Sequence, residues 1–238
     1  MKLLYLLVDL LAISIPLLFS FHPKIAFYKT WKELFTAVIL VAVPFLIVDS
    51  IFTAHGIWSF NPMYITGIYI FNLPLEEIMF FFCIPYSCLF TYYCLNKFYD
   101  LSWSVRTENI FCILFSMTLL ITGFIFRYKL YTSSTFISTA ILCIILKFGF
   151  HINWFGNAII VFGILIIPFF LVNGILTGTG LLAPVVRYHP DYYLGIRVIS
   201  IPVEDFIYGF ELFMMNLFLF LRFPKQFSRD HRTARSLV

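Results

Sequence analysis

Asn72-Leu73-Pro74-Leu75-Glu76-Glu77-Ile78-Met79-Phe80-Phe81-Phe82 and Ser200-Ile201-Pro202-Val203-Glu204-Asp205-Phe206-Ile207-Tyr208-Gly209-Phe210 decide how this chain is read. In each, a proline and one apolar residue precede two adjacent acids, and an aromatic-rich apolar run follows. Acids at the head of a run long enough to cross a bilayer serve either as helix caps or as chemistry. Their recurrence 128 residues apart makes the chain a duplication.

The surroundings are those of a membrane protein. Of 238 residues, 61% are apolar and only 12% charged, and the mean hydropathy is +0.94. A soluble domain carries about 25% charged residues, so this chain cannot solvate its own surface in water. Disorder, collagen, a coiled coil and a secreted disulfide scaffold are excluded by the same composition, and nucleic-acid binding has no support in it. Runs of roughly 20 apolar residues give seven spans, at about 3–21, 34–54, 74–96, 108–126, 134–150, 157–177 and 202–222. The runs are continuous rather than alternating, so helices are predicted, not barrel strands. The first run contains Asp9 and ends in Ser20-Phe21-His22-Pro23 without a small-residue cleavage site, so it reads as a span and not as a signal peptide. With an odd number of spans, Lys2, Arg127, Lys129, Arg187 and Arg197 share the N-terminal side. The other side holds Lys24, Lys29, Lys32, Lys97, Arg106, Lys147, Arg222, Lys225, Arg229, Arg232 and Arg235. The positive-inside rule therefore puts the N-terminus outside and the C-terminus in the cytoplasm.

The duplication extends beyond the acid pairs. Residues 44–53 align with 168–177 at an offset of 124, and residues 60–82 with 188–210 at an offset of 128. Identities include Pro44/Pro168, Pro62/Pro190, Gly67/Gly195, Pro74/Pro202 and Glu76/Glu204. Spans 1–3 then correspond to spans 5–7, with span 4 as a linker that returns the second repeat in the same orientation. The predicted fold is an all-α integral membrane protein whose seven transmembrane helices form a parallel 3+1+3 internal repeat. Its parts are a first repeat at 1–105, a linker helix at 106–128, a second repeat at 129–222 and a basic cytoplasmic tail at 223–238.

Asp9, Asp49, Glu76, Glu77, Glu204, Asp205 and Glu211 lie within predicted spans, whereas Glu33, Asp100, Asp191 and Asp230 do not, and Glu108 stands at the loop edge of the fourth. A carboxylate near the bilayer centre costs roughly 2.5–3.5 kcal/mol, so a buried functional role competes with a structural one. The structural alternative is a helix start, with Asn72 or Ser200 as cap, proline in the first turn and acids favoured by the helix dipole. Helical spacing puts Glu204, Tyr208 and Glu211 on one face and Glu76 with Phe80 and Cys83 on another. Glu76 and Glu77 point about 100° apart, so one member of each pair faces a given cavity. A carboxylic acid kept neutral in an apolar pocket can protonate an alkene, and aromatic faces stabilise the resulting cation. Phe80, Phe81, Tyr208 and Glu211 are the candidate substrate-binding residues.

Cys83, Cys88, Cys94, Cys112 and Cys143 fall inside spans without a C-x-x-C pair, and the five histidines are scattered, so packing cysteines and no metal site are expected. Lys147, the one lysine well inside a span, sits near its cytoplasmic end, where snorkelling accounts for it.

In Asp49, Trp58-Ser59-Phe60-Asn61-Pro62, Gly67, Leu73-Pro74-Leu75-Glu76-Glu77, Phe80-Phe81 and Ile84-Pro85-Tyr86 with Cys88, the chain resembles the lycopene cyclase domain family. The second half adds Asn173, Leu176-Thr177-Gly178, Tyr188, Gly195-Ile196-Arg197, Ile201-Pro202-Val203-Glu204-Asp205, Tyr208 and Asn216. The resemblance is to the form with both repeats fused in one polypeptide. It implies non-redox cyclisation of the linear ends of lycopene to β-ionone rings, in a lipid bilayer. It ranks Glu76 and Glu204 first as acid/base residues, Glu77 and Asp205 next, and Asp49 third because its repeat partner is Asn173. Which carboxyl gives the proton stays open. No G-x-G-x-x-G occurs, so no nucleotide cofactor is expected. Carotenoid-pathway enzymes or a second copy of the chain are the protein partners that fit. The rival readings are a cyclase of other carotenoids, with C50 substrates or ε- or γ-rings, and a proton-coupled 3+1+3 transporter. A retinal photoreceptor needs a Schiff-base lysine that the last span lacks.

Overall fold

The chain is described here by a computed structural model over residues 2–223; all of the basic tail beyond Phe223 lies outside the described residues. Seven α-helices carry the described residues: α1 (Leu4–Ser20), α2 (Trp31–Ala54), α3 (Leu75–Phe98), α4 (Val105–Ile125), α5 (Leu130–Ile144), α6 (Phe155–Leu176) and α7 (Val203–Arg222). A π-helical turn, Ile145–Gly149, continues α5. Each predicted span falls on one helix.

Phe27–Ala54, Leu75–Phe98, Val105–Ile125, Leu130–Gly149 and Phe155–Leu176 are long and apolar enough to cross a membrane. The other two helices fall short of that description for different reasons. α1 is apolar but has 17 residues, about 26 Å of rise against about 30 Å of hydrocarbon. α7 has 20 residues but carries Glu204, Asp205 and Glu211. Leu7, Leu11 and Leu18 of α1, Ile39, Val43 and Ile47 of α2, Leu114 and Phe124 of α4, and Ile167 and Leu171 of α6 are exposed, an apolar exterior that suits lipid.

The core lies around α7, whose Phe213, Met214 and Leu217 are buried with Phe27, Leu34, Leu89 and Phe155. Where lipid removes much of the hydrophobic incentive for helices to associate, interhelical hydrogen bonds add roughly 0.6–2 kcal/mol each. Ser87 Oγ donates to the Ala12 carbonyl at 2.9 Å, Ser20 and Tyr86 hydroxyls meet at 2.6 Å, and Asn157 Nδ2 donates to Asn96 Oδ1 at 2.5 Å. Lys147 departs from the expected snorkelling. It is buried against Glu108, which also accepts from the Gly156 N–H at 2.7 Å, while Lys147 Nζ donates to the Ile152 carbonyl at 3.2 Å. Glu108, read as a loop acid, sits in the first turn of α4 and is the counter-ion that keeps this lysine inside.

Two long loops, after α2 and after α6, meet at one end of the bundle. Strand β1 (Trp58–Phe60) pairs antiparallel with β4 (Val186–Tyr188), Trp58 opposite Tyr188, Ser59 opposite Arg187 and Phe60 opposite Val186. At the offset of 128 these are equivalent residues pairing about a shared midpoint, as an approximate two-fold axis between the loops requires. The flanking bonds obey the same symmetry: Asn61 N–H to Val185 O and His189 N–H to Ile57 O are both 2.8 Å.

A short hairpin then leads into each acid pair, β2 (Tyr69–Ile70) with β3 (Leu73–Pro74), and β5 (Arg197–Val198) with β6 (Ile201–Pro202). Gly67 and Gly195 enter these hairpins at φ 87° and 80°, a backbone region that side-chain-bearing residues rarely adopt, which explains why glycine stands at both positions. Asn72 and Ser200 do not cap α3 and α7, because β3 and β6 intervene and Pro74 and Pro202 occupy the cap positions. Instead they tie the hairpin tips to the preceding helices. Asn72 exchanges hydrogen bonds with Ser50 at 2.6 and 2.7 Å, and Ser200 Oγ meets the Thr177 and Thr179 hydroxyls at 2.7 and 2.6 Å.

Candidate active site

The hairpins set the rotational phase of α3 and α7, and the phase decides which acid of each pair sees the interior space. A cavity of about 170 Å³ opens between the two halves, lined mostly by apolar and aromatic side chains, with Glu77 and Asp205 as its carboxyls. Phe80 and Ile84 extend the Glu77 face, and Tyr208, Gly209 and Leu212 the Asp205 face.

Glu76 and Glu204 turn away. Both are wholly buried, and both reach back to the loop before their own hairpin, Glu76 Oε1 accepting from the Thr66 N–H at 2.6 Å and Glu204 Oε1 from the Leu194 N–H at 2.8 Å. Glu204 Oε1 also accepts from Thr132 Oγ1 at 2.6 Å. The expected faces are therefore displaced by one residue: the cavity sees 77, 80 and 84, and 205, 208 and 212, while Glu204 and Glu211 face α5. Glu211 Oε2 accepts there from Ser138 at 2.9 Å and Thr139 at 3.1 Å. Of the substrate-binding candidates, Phe80 and Tyr208 line the cavity. Phe81 packs behind it against Phe45, ring centroids 6.0 Å apart, and Glu211 lies to the side.

Each cavity carboxyl is held by a tyrosine from the first turn of a helix in its own half. Tyr5 donates to Glu77 Oε2 and Tyr131 to Asp205 Oδ1, both at 2.7 Å. The two tyrosines are themselves fixed in equivalent ways, by Tyr5 N–H to Tyr64 O at 3.1 Å and Tyr131 N–H to Tyr192 O at 2.9 Å. Asp49 is buried behind Glu77, its Oδ1 accepting from Trp58 Nε1 at 2.6 Å, and its carboxyl is in hydrogen-bond contact with that of Glu77. In the other half Tyr188 gives Asp205 a second donor, to Oδ2 at 2.8 Å. Burial, and then the Asp205 charge, push the Tyr188 hydroxyl well above the ordinary phenol range, so it stays a donor. Arg197 lies over the Tyr193 and Tyr188 rings at 5.1 and 5.7 Å.

The rings of Trp58, Tyr131 and Tyr188 stand together, 5.2 Å between Trp58 and Tyr131 and 5.8 Å between Tyr131 and Tyr188. Tyr208 packs edge-on to Phe45 at 5.2 Å, its hydroxyl oxygen buried and unpartnered among the described residues. Such a site offers apolar volume, π-faces for a cation and two carboxyls for proton transfer.

Tyr5 and Tyr131 are functional candidates that the spacing arguments miss, and Trp58 and Tyr188 enter the sequence reading as matched residues without a role. One signal is present: Leu4-Tyr5 repeats as Leu130-Tyr131 at an offset of 126, a value between the offsets of the two stronger blocks.

No curated protein and no solved structure matches the chain. The family described as Lycopene cyclase matches it twice, over residues 2–95 and 128–223, so that both acid pairs, both tyrosines and both hairpins fall within the matched segments. The chain belongs to the lycopene cyclase family.

Proposed function

We propose that the protein is a lycopene β-cyclase, an intramolecular isomerase that closes the linear ends of lycopene to β-ionone rings without a redox cofactor. The observation that carries this reading is the pair Glu77 and Asp205, two carboxyls on opposite halves facing one aromatic, apolar cavity. An alkene end group has no handle except its π-electrons, so catalysis needs an acid to protonate it, aromatic faces to stabilise the cation and a base to remove a ring proton. In this proposal Glu77 and Asp205 take the roles that the sequence ranks first for Glu76 and Glu204. The latter two hold the loops that carry the site, and Asp49 supports Glu77.

The membrane setting belongs to the same proposal. The repeats at 1–105 and 129–222 lie parallel about the 106–128 linker, with the N-terminus outside, the loops of β1 and β4 at the outer face and the C-terminal tail in the cytoplasm of a cell-membrane protein. Lycopene reaches the cavity through lipid.

The test is expression in a lycopene-accumulating host with chromatographic analysis of pigments. The expected product is β-carotene, with the one-ringed carotenoid as intermediate. Unchanged lycopene beside abundant membrane-inserted protein would refute cyclisation, and rings with the double bond elsewhere would refute the β assignment.

A further inference from the structure

The two halves are related by pseudo-symmetry, yet around the cavity carboxyls they differ, and four of the differences act in the same direction. Where the first half has Asp49, the second has Asn173; where it has Trp58, Phe60 and Tyr69, the second has Val186, Tyr188 and Arg197. On the Glu77 side, Asp49 brings a second carboxyl into hydrogen-bond contact with Glu77. Trp58 occupies Asp49 Oδ1 at 2.6 Å, and the Asp49 carboxyl, buried, also lies against the Thr53 hydroxyl. Two carboxyl groups bond to each other only if one carries a proton, and two like charges in so apolar a place repel. On the Asp205 side both oxygens accept from hydroxyls, Tyr131 at 2.7 Å and Tyr188 at 2.8 Å, and the Arg197 guanidinium adds positive potential nearby. Hydrogen bonds to both oxygens, with a cation close by, stabilise the ionised form of a carboxyl. Phe60, in the place of Tyr188, has no hydroxyl to offer Glu77.

Resting on the cyclisation reading above, we propose that the duplicated site has become directional. Glu77, sharing a proton with Asp49, is the acid that starts ring closure, and Asp205, held by Tyr131 and Tyr188, is the base that ends it. Glu77 passes its proton to the outermost double bond of the substrate end, leaving a cation on the neighbouring carbon. The π-electrons of the next alkene form the ring bond to that carbon and move the cation into the ring. Asp205 removes a proton from the adjacent ring carbon, and that C–H electron pair becomes the ring double bond. Asp205 then holds one proton and the Asp49–Glu77 pair lacks one; its return restores the enzyme, and substrate and product have the same formula. Asp49 and Trp58 are positioning residues, because they act through Glu77.

Two readouts on the full-length protein test this. In infrared difference spectra of the purified protein in detergent, Asp49→Asn and Glu77→Gln should each remove the same protonated-carboxyl band, and Asp205→Asn a carboxylate band instead. In the lycopene-producing host, Glu77→Gln should leave lycopene uncyclised, a loss of at least about 100-fold, with Glu77→Asp restoring part of the activity and the band. Asp205→Asn should still consume lycopene but end the cation differently, as rings with a displaced double bond or as hydrated products. The reverse pattern overturns the proposal, whether Asp205→Asn removes the protonated band or Glu77→Gln yields displaced rings. If wild-type protein leaves lycopene intact while the infrared pattern holds, the cyclisation reading fails and the placement of the proton stands.

Discussion

Replacing Glu76 and Glu204 by glutamine, separately, distinguishes the loop-holding acids from the cavity acids. Glu76→Gln keeps an oxygen for the Thr66 N–H that Glu76 engages at 2.6 Å, and Glu204→Gln keeps one for the Leu194 N–H at 2.8 Å and Thr132 at 2.6 Å. What changes is at most a hydrogen bond to a charged acceptor becoming one to a neutral acceptor, from about 1.5–3 to about 0.5–1.5 kcal/mol, so the expected cost is about 1 kcal/mol in each variant. The second oxygen of each glutamate is buried without a partner, and the new amide lies where it is. Asp9, whose two oxygens are also unpartnered, lies within electrostatic reach of Glu76.

A change of about 1 kcal/mol corresponds to about a fivefold effect. Lycopene conversion by Glu76→Gln and Glu204→Gln should therefore stay within about tenfold of wild type, against about 100- to 10,000-fold loss for Glu77→Gln. The measurement is the initial rate of β-carotene formation in isolated membranes at matched protein abundance, with thermal unfolding of the same samples followed by tryptophan fluorescence. Glu76→Ala provides the contrast, since it strands the Thr66 N–H at a cost of about 1–3 kcal/mol and should lower the midpoint by several degrees. If either glutamine variant abolishes conversion at normal abundance and an unchanged midpoint, the loop-holding role is wrong and chemistry belongs to Glu76 or Glu204.

Two further substitutions probe other parts of the structure. Tyr188→Phe removes the donor to Asp205 Oδ2; a hydrogen bond to a charged group contributes about 1.5–3 kcal/mol, so conversion should fall by about 10- to 100-fold, and rates close to wild type would show that this bond does not support the base. Lys147→Met leaves Glu108 buried without its cation. It should destabilise the protein by about 3–5 kcal/mol, while Lys147→Met with Glu108→Leu should recover most of that loss, as read by membrane abundance and unfolding midpoint, with turnover per folded molecule unchanged. A single variant as stable as wild type would show that the pair is not isolated from solvent.

The helices were legible because their signal is local. A run of about 20 apolar residues states its own length, and α2 to α6 and even the short, acid-bearing α1 and α7 follow from it. The duplication was legible for a related reason, since Pro44/Pro168, Gly67/Gly195 and Pro74/Pro202 occupy positions where the backbone itself is constrained, by a helix interior, a left-handed φ and a helix start. What the sequence could not supply was absolute rotation. Adjacent acids on a helix point about 100° apart, so spacing shows that only one of Glu76 and Glu77 faces inward, and the same pattern with Phe80 and Cys83 or with Tyr208 and Glu211 fits either choice. The choice is made by atoms distant in sequence or outside the helix: the Thr66 and Leu194 amides capture one acid of each pair, and Tyr5 and Tyr131, both 72 or more residues away, capture the other. The Asp49/Asn173 pair reads differently under the proposed division of labour. A residue present in one repeat and lost from the other looks dispensable if the two sites are taken to do the same work, yet two half-sites that share one cavity can divide a proton-in, proton-out reaction between them. Under that division, difference between the repeats becomes the functional signal, and substituted positions around Glu77 and Asp205 carry more information about chemistry than the glycines and prolines that stayed the same.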